Sequence, residues 1–303
     1  MIFAANHQNA FMDALLIVCF NSHFTHFLAR ADIFKNPFTR WVLGTLNMIP
    51  IYRIRDGRQA LSENAKTFDT CYHFLIKNEA IVIFPEGNHG SQRRVRPLSK
   101  GFTRIISESQ RRNPELKISI VPVGLNYSSH QEFRSSVNIS FGEPITMEGS
   151  AFDANQLRIE VSSHLKTLTT HIEDVNRYDE THQKLVASNT DFLNAADSNK
   201  KILQIQNGEA INEKILQKKN STLLIVPRFT AIIINFIPLL LWKRIKSGIK
   251  DPVFTTSLRF GMGIFVFPAF YLFTGVIAWL FIGKITGMLW LAVSFPSMLF
   301  YKK

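Results

Sequence analysis

AIVIFPEG, residues Ala80–Gly87, packs two messages into eight positions. Its first half is a near-continuous apolar run, and three of those four residues are β-branched. Such a run is too short for a buried helix and has the texture of a strand covered on both faces, as in a parallel sheet. Its second half stops the strand with proline and glycine and leaves a carboxylate, Glu86, at the carboxyl end. In parallel sheets that end is where reactive loops gather. Reading outward, Ile2–Ala5, Met48–Tyr52 and Ile118–Leu125 have the same apolar texture. Between them, Asn36-Pro37 reads as an N-cap followed by proline at the first helical position, and Ala60–Asn78 is long enough to cross over a sheet. The expected fold is α/β with a mostly parallel sheet, occupying residues 1–150. MIFAA begins as a strand with no lead-in, so upstream residues are expected to be missing.

Residues 151–222 change character. Leu157, Val161, Leu165, Leu168, Ile172 and Val175 step by 4, 4, 3, 4 and 3, one helical face, which predicts a helical arm packed on the first domain. Residues 223–303 change again. Phe260–Ile282 runs 23 residues without a charge and Ile285–Tyr301 adds 17, split by Gly283-Lys284. About 17–25 apolar residues span a bilayer, so the pair predicts a transmembrane helical hairpin, 260–282 and 285–301. Phe229–Trp242, with 14 residues and both Asn235 and Pro238, reads as an interfacial or re-entrant segment. Lys243, Arg244, Lys246, Lys250 and Arg259 precede the hairpin, and Lys302 and Lys303 follow it. The positive-inside rule then puts both hairpin ends and the first 220 residues on the cytosolic face of an integral membrane protein.

Composition agrees with a membrane partner. Thirty-five Lys+Arg against 23 Asp+Glu leave a net charge of +12, which calls for a polyanionic partner. Twenty-six phenylalanines and the absence of a nucleic-acid motif favour an anionic phospholipid bilayer over nucleic acid. Cys19 and Cys71 offer no zinc spacing and read as reduced core residues. The histidines show no metal-like arrangement, so neither a metal nor a resident cofactor is expected.

Two clusters carry chemistry. His7 and Asp13 sit at a strand-to-helix junction, and a histidine with a carboxylate partner is the minimal general base. Glu86 and Gly87 sit at the end of the third apolar run, followed by the cationic Arg93, Arg94, Arg96 and Lys100. No serine or cysteine lies in a nucleophile elbow, so the nucleophile is expected to be a substrate hydroxyl activated by His7.

NHQNAFMD (Asn6–Asp13), IPIYR (Ile49–Arg53), FPEGNHGS (Phe84–Ser91) and IVPVGLNY (Ile120–Tyr127) stand in the order of the four motif blocks of the glycerolphosphate acyltransferase family. Over about the first 145 residues the chain resembles that family, which includes lysophosphatidate and glycerol-3-phosphate acyltransferases. The resemblance implies acyl transfer from acyl-CoA or acyl carrier protein to a glycerol-phosphate hydroxyl, in phospholipid synthesis. It assigns His7 as general base, Asp13 as its orienting partner, Arg53 as a phosphate ligand, and Glu86, Gly87, Asn88 and His89 to the acceptor loop. Two departures stand out. Asp13 follows His7 by six positions rather than five, which one bulged residue would absorb. Asn88 and His89 replace a threonine and an arginine, a cationic duty that Arg93, Arg94 or Arg96 would take over. Lysophosphatidate is the leading acceptor, with glycerol-3-phosphate or another lyso- or amino-lipid as the alternative. A non-catalytic lipid-binding protein with a decayed site is the rival from another class.

Overall fold

The computed structural model describes residues 1–53, 57, 62–148, 152–209, 211 and 225–297. They divide into two compact units, one of Met1–Ser128 with Ser136–Lys214 and one of Ser129–Ser135 with Ile215–Lys303. The expected arm therefore shares a unit with the sheet.

In the first unit the elements are β1 (Ile2–Ala5), α1 (Phe11–Cys19), β2 (Thr25–Arg30), α2 (Pro37–Thr45), β3 (Met48–Ile51), α3 (Asn64–Ile76), β4 (Ala80–Ile83), α4 (Gly101–Arg112), β5 (Ile118–Tyr127), β6 (Val137–Phe141) and β7 (Ile145–Met147). The arm follows as α5 (Ala154–Leu168), α6 (Tyr178–Ala187) and α7 (Ala195–Gln206). The sheet runs β3-β2-β4-β1-β5-β6, with β7 also on β5. Contacts of β1 with β4 and β5, and of β2 with β3 and β4, are parallel; β6 and β7 are antiparallel. β1 lies in the middle, flanked by the two strands whose ends carry Glu86 and Tyr127.

Alternation along the strands makes two cores. Ile2, Ala4, Ile81, Ile83, Ile118 and Ile120 face α3, α4 and α5, whereas Phe3, Ala5, Val82, Val123, Leu125 and Tyr127 face α1 through Ala14 and Ile17. Every residue of β1 and β4 is buried, as the unbroken apolar runs require. Asn36 caps α2 by accepting from the Phe38 N–H at 2.8 Å.

Three expectations need correction. The apolar stripe of the arm does not stay on one helix: α5 stops at Leu168, and Ile172 and Val175 lie beyond it. Tertiary hydrogen bonds end it there, because Asn126 donates to the Leu168 carbonyl (2.8 Å) and accepts from the Thr170 N–H (3.0 Å). A Cβ at Gly124 would meet the Leu168 oxygen at 2.5 Å, so only glycine admits this approach. Cys71 is buried, but Cys19 is exposed. It ends α1 off the face that Asp13, Ala14 and Ile17 bury. The 14-residue segment 229–242 is not one piece. It is shared by α8 (Ile225–Ile234) and α9 (Phe236–Ser247), which break at Asn235.

The second unit continues with α10 (Phe254–Phe281), whose Met262–Val266 stretch is π-helical, and α11 (Lys284–Ser297). α10 and α11 pack closely through small residues. Trp290 donates to Thr274 at 2.8 Å, and a Cβ at Gly287 would meet the Gly275 carbonyl oxygen at 2.8 Å. Buried Asn235 donates to the Ala231 carbonyl and the Ser297 hydroxyl and accepts from Tyr271. Among the described residues α10 alone is long and apolar enough to cross a membrane, with 28 residues, a mean hydropathy of 2.1 and 17% of its most apolar window buried. α11 is described for 14 residues, and positions 298–301 of the second expected span lie outside the described residues.

Candidate active site

The chain leaves β1 into a loop that bonds both to itself and to the ends of β4 and β5. Asn6 is fully buried and holds β5 with its side-chain amide, Nδ2 donating to the Leu125 carbonyl (3.0 Å) and Oδ1 accepting the Leu125 N–H (2.7 Å). His7 follows, then Gln8, Asn9 and Ala10. Ala10 adopts φ 45°, ψ −126°, a conformation that costs a non-glycine residue energy and turns the chain sharply into α1. That turn brings Asp13, in the first helical turn, back beneath His7 despite the longer spacing. The His7 Nδ1–H donates to Asp13 Oδ2 at 2.8 Å.

Asp13 has no solvent exposure and takes three further donors. The Gln8 and Asn9 N–H groups reach Oδ2 at 2.8 and 2.7 Å, and the Tyr127 hydroxyl reaches Oδ1 at 2.5 Å. The positive end of α1 adds to this support. Burial, reinforced by the Asp13 charge, pushes the Tyr127 phenol far above its ordinary range, so it remains a donor. The His7 ring lies flat on Phe84, with centroids 4.0 Å apart and planes at 16°, while His89 meets it edge-on at 5.7 Å. Nδ1 is thus engaged, one face is covered, and Nε2 is the nitrogen left to meet a reactant.

The loop after β4 closes the other side. The Gly87 N–H bonds the Phe84 carbonyl at 3.0 Å, and Gly87 has φ 72°, the left-handed region suited to glycine. Glu86 is buried, accepts from the His7 N–H (3.4 Å) through Oε1 and binds the Arg96 Nε (2.5 Å) through Oε2. Burial pushes the Glu86 carboxyl above its usual range against the pull of Arg96. Arg96 also donates to the carbonyls of Asn88 and His89, and the Gly90 N–H returns to the His7 carbonyl at 3.0 Å. One arginine therefore shapes the whole turn.

The cationic run does not act as a group. Arg93 is buried, donates to the Tyr127 and Ser128 carbonyls (2.8 and 3.2 Å), and stacks 3.7 Å over Phe192. Burial lowers it to about 10. Its guanidinium holds structure and is not placed to meet a phosphate, a correction to its expected role. The Arg94 charge acts on His171 and Tyr178 of the arm. Arm and loop are joined tightly, since the Tyr178 hydroxyl and His171 Nδ1 accept the N–H groups of Arg93 and Val95, both at 2.8 Å. Arg53 follows β3 and lies 3.7 Å from Asp32. β3 is three places from β1, about 14 Å at ~4.8 Å per strand. Beside it is a cavity of about 660 Å³ lined by Asp32, Phe34, Lys35, Arg40, Pro50 and Tyr52, among others.

Of the expected residues, His7, Asp13, Glu86, Gly87, Asn88, His89 and Arg96 come together; Arg93 and Arg94 belong to the arm contact, and Arg53 lies at the sheet's edge. Tyr127 and Phe84 had no role in the sequence reading, although both stand inside quoted blocks. The signal for Tyr127 is a polar Asn-Tyr pair ending a strand otherwise buried. Chemically, an oriented imidazole on a saturated carboxylate, with Nε2 open, suits proton abstraction from a hydroxyl.

Residues 1–126 match the acyltransferase family model. The chain is similar to glycerol-3-phosphate O-acyltransferase 2 of Saccharomyces cerevisiae, 29% identical over 115 residues, covering 37% of this chain and 16% of that protein. Glycerol-3-phosphate O-acyltransferase 1 of the same yeast is 35% identical over 86 residues, covering 27% and 11%. The chloroplastic 1-acyl-sn-glycerol-3-phosphate acyltransferase BAT2 of Brassica napus is 23% identical over 124 residues, covering 41% and 32%. The matched stretch thus spans less than a third of each of these relatives. The crystal structure of the 1-acyl-sn-glycerophosphate acyltransferase of Thermotoga maritima aligns with a TM-score of 0.39 at 22% identity, covering 55% of this chain and 63% of that one. The match of residues 1–126 to the acyltransferase family model falls on the same stretch as the four ordered blocks.

Proposed function

We propose that this protein moves a fatty acyl group from an acyl thioester to a hydroxyl of glycerol-3-phosphate at a membrane surface. The observation that carries the reaction is the His7–Asp13 pair, 2.8 Å apart at the carboxyl end of the central strand with Nε2 open. His7 Nε2 takes the proton of the acceptor hydroxyl as its oxygen attacks the thioester carbonyl. Asp13 stabilises the imidazolium that forms. Collapse of the tetrahedral intermediate breaks the C–S bond, and the proton on His7 passes to the departing thiolate. Acyl-CoA or acyl carrier protein would supply the thioester.

For the acceptor, the two yeast relatives favour glycerol-3-phosphate over lysophosphatidate. Lysophosphatidate, the leading acceptor in the reading of the sequence, becomes the second reading, favoured by the Brassica relative. Arg53 would hold the acceptor phosphate, beside the cavity at the end of β2 and β3. α10 would cross the bilayer, with the basic residues Lys243, Arg244, Lys246, Lys250 and Arg259 toward the cytosol.

The test is direct. Full-length protein in detergent is given acyl-CoA or acyl carrier protein with glycerol-3-phosphate, lysophosphatidate or unphosphorylated glycerolipids, and products are identified by mass. Acylated glycerol-3-phosphate is the expected product. Arg53→Ala should raise the acceptor KM by roughly ten- to a hundredfold and leave the donor KM nearly unchanged, since a bond to a charged group is worth about 1.5–3 kcal/mol. An unchanged acceptor KM would remove Arg53 from the phosphate site.

A further inference from the structure

Asp13 needs both of its oxygens held to keep one orientation beneath His7. The backbone of its own loop holds Oδ2, through Gln8 and Asn9. That loop does not hold Oδ1. The donor for Oδ1 comes from 114 residues away, the Tyr127 hydroxyl at 2.5 Å, in a setting where both side chains are shut off from solvent. We propose that Tyr127 is a positioning residue for acyl transfer: it locks the rotation of the Asp13 carboxylate and draws charge from it, and so sets how strongly His7 holds a proton. The inference rests on His7 being the general base.

The surroundings leave Tyr127 little freedom. Its ring is packed in the core facing α1, among Phe3, Ala5, Ala14 and Val123. Its backbone is paired with Val137 across the sheet, and its carbonyl accepts from Arg93 at 2.8 Å. Arg93 in turn is fixed by Phe192 and, through its N–H, by Tyr178 of the arm. The hydroxyl is therefore aimed by β5 and by the arm together. Burial and the neighbouring carboxylate keep the phenol protonated, which makes it a permanent donor to Oδ1. A carboxylate that loses one of four donors keeps more charge for the imidazole it faces, and the imidazolium is favoured.

The test uses the full chain. Tyr127→Phe keeps the ring and deletes only the donor. It should lower kcat about tenfold with acceptor KM within twofold, and move the acid limb of the rate profile up by about half to one pH unit. A second readout does not need turnover: the pH midpoint for carbethoxylation of His7 by diethylpyrocarbonate, followed by mass spectrometry, should move up by the same amount. Replacing Tyr127 with a fluorinated tyrosine makes the donor stronger without changing the fold, and should move that midpoint down. Opposite shifts are the signature of positioning, because a merely structural role moves neither. In an Asp13→Asn background, Tyr127→Phe should cost nothing further. The proposal is overturned if the midpoint stays at the wild-type value in both variants, or if the kcat losses simply multiply. Wild-type protein that acylates no acceptor would sink the proposed function instead, and the labelling midpoints would still decide the role of Tyr127.

Discussion

Among the other histidine–carboxylate pairs of the first unit, one lies at the opposite end of the same sheet. His26, at the start of β2, meets Glu79, just before β4, at 2.6 Å. By distance alone it is the better bonded of the two. His26 engages its carboxylate through Nε2, however, and its ring is stacked on Phe74 at 3.5 Å with only 5° between the planes. Glu79 is partly exposed. At the other end, Asp13 is sealed and supplied with four donors, and His7 turns Nε2 outward. A short His–carboxylate distance is therefore poor evidence of a base. What separates the two pairs is which nitrogen is engaged, how the carboxylate is held, and which end of the strands they occupy.

The sharpest break in that comparison is a pair of alanine substitutions. His7→Ala should lower transfer per folded molecule by about 10²–10⁴. His26→Ala should leave turnover per folded molecule within about twofold, yet cost about 1–2 kcal/mol of stability through the lost bond and ring stacking. Comparable losses of activity in both would erase the distinction. Next come the carboxylates. Asp13→Asn should reduce kcat by about 10²-fold, because an amide no longer stabilises the imidazolium. Glu79→Gln should have no measurable effect on kcat at any pH where the wild type is active.

The pH-dependent part of the Arg96 effect is the finest test. The Arg96 Nε is 2.5 Å from Glu86, whose side chain is only 2% exposed. Arg96→Ala leaves that carboxylate buried without its cation and should cost about 2–3 kcal/mol at pH 7.5, less than a fully buried pair because Arg96 itself is 28% exposed. The Glu86 carboxyl is already raised in the folded state, and removing Arg96 raises it further. A raised carboxyl binds its proton more tightly when folded, so stability falls as pH rises between its unfolded and folded pKa and recovers on acidification. The deficit of the variant relative to wild type should therefore shrink from pH 7.5 to pH 5. Thermal unfolding at the two values measures it, and a constant deficit would mean that Glu86 titrates outside this window.

The regular elements that carry the site were readable from local pattern. β1, β4 and the apolar part of β5 are buried on both faces, and burial on both faces writes itself as an uninterrupted apolar run. Asn36 and Pro37 marked the start of α2 because capping is settled within three residues. The arm shows where this reading fails. Its stripe continues to Val175, yet α5 ends at Leu168 because Asn126, far back in the chain, holds the carbonyl and N–H on either side of the break. Cys19 fails for a simpler reason: an apolar neighbourhood in sequence does not say which face of α1 meets the sheet.

The same division runs through the site. The types of group needed, an imidazole, a carboxylate and an acidic turn, stand at strand ends and can be picked out in the chain, since their order follows from strand order. Partner choice is another matter. Arg93 and Arg96 are three residues apart in one cationic run, but Arg93 is folded into the arm contact while Arg96 organises the turn beside His7. Tyr127 meets Asp13 across 114 residues. Secondary structure and strand ends depend on free energies summed over a few neighbouring residues, which a sequence displays. Which charges are buried, and against whom, depends on desolvation and distance, and these have no value until the sheet, α1 and the arm are packed together.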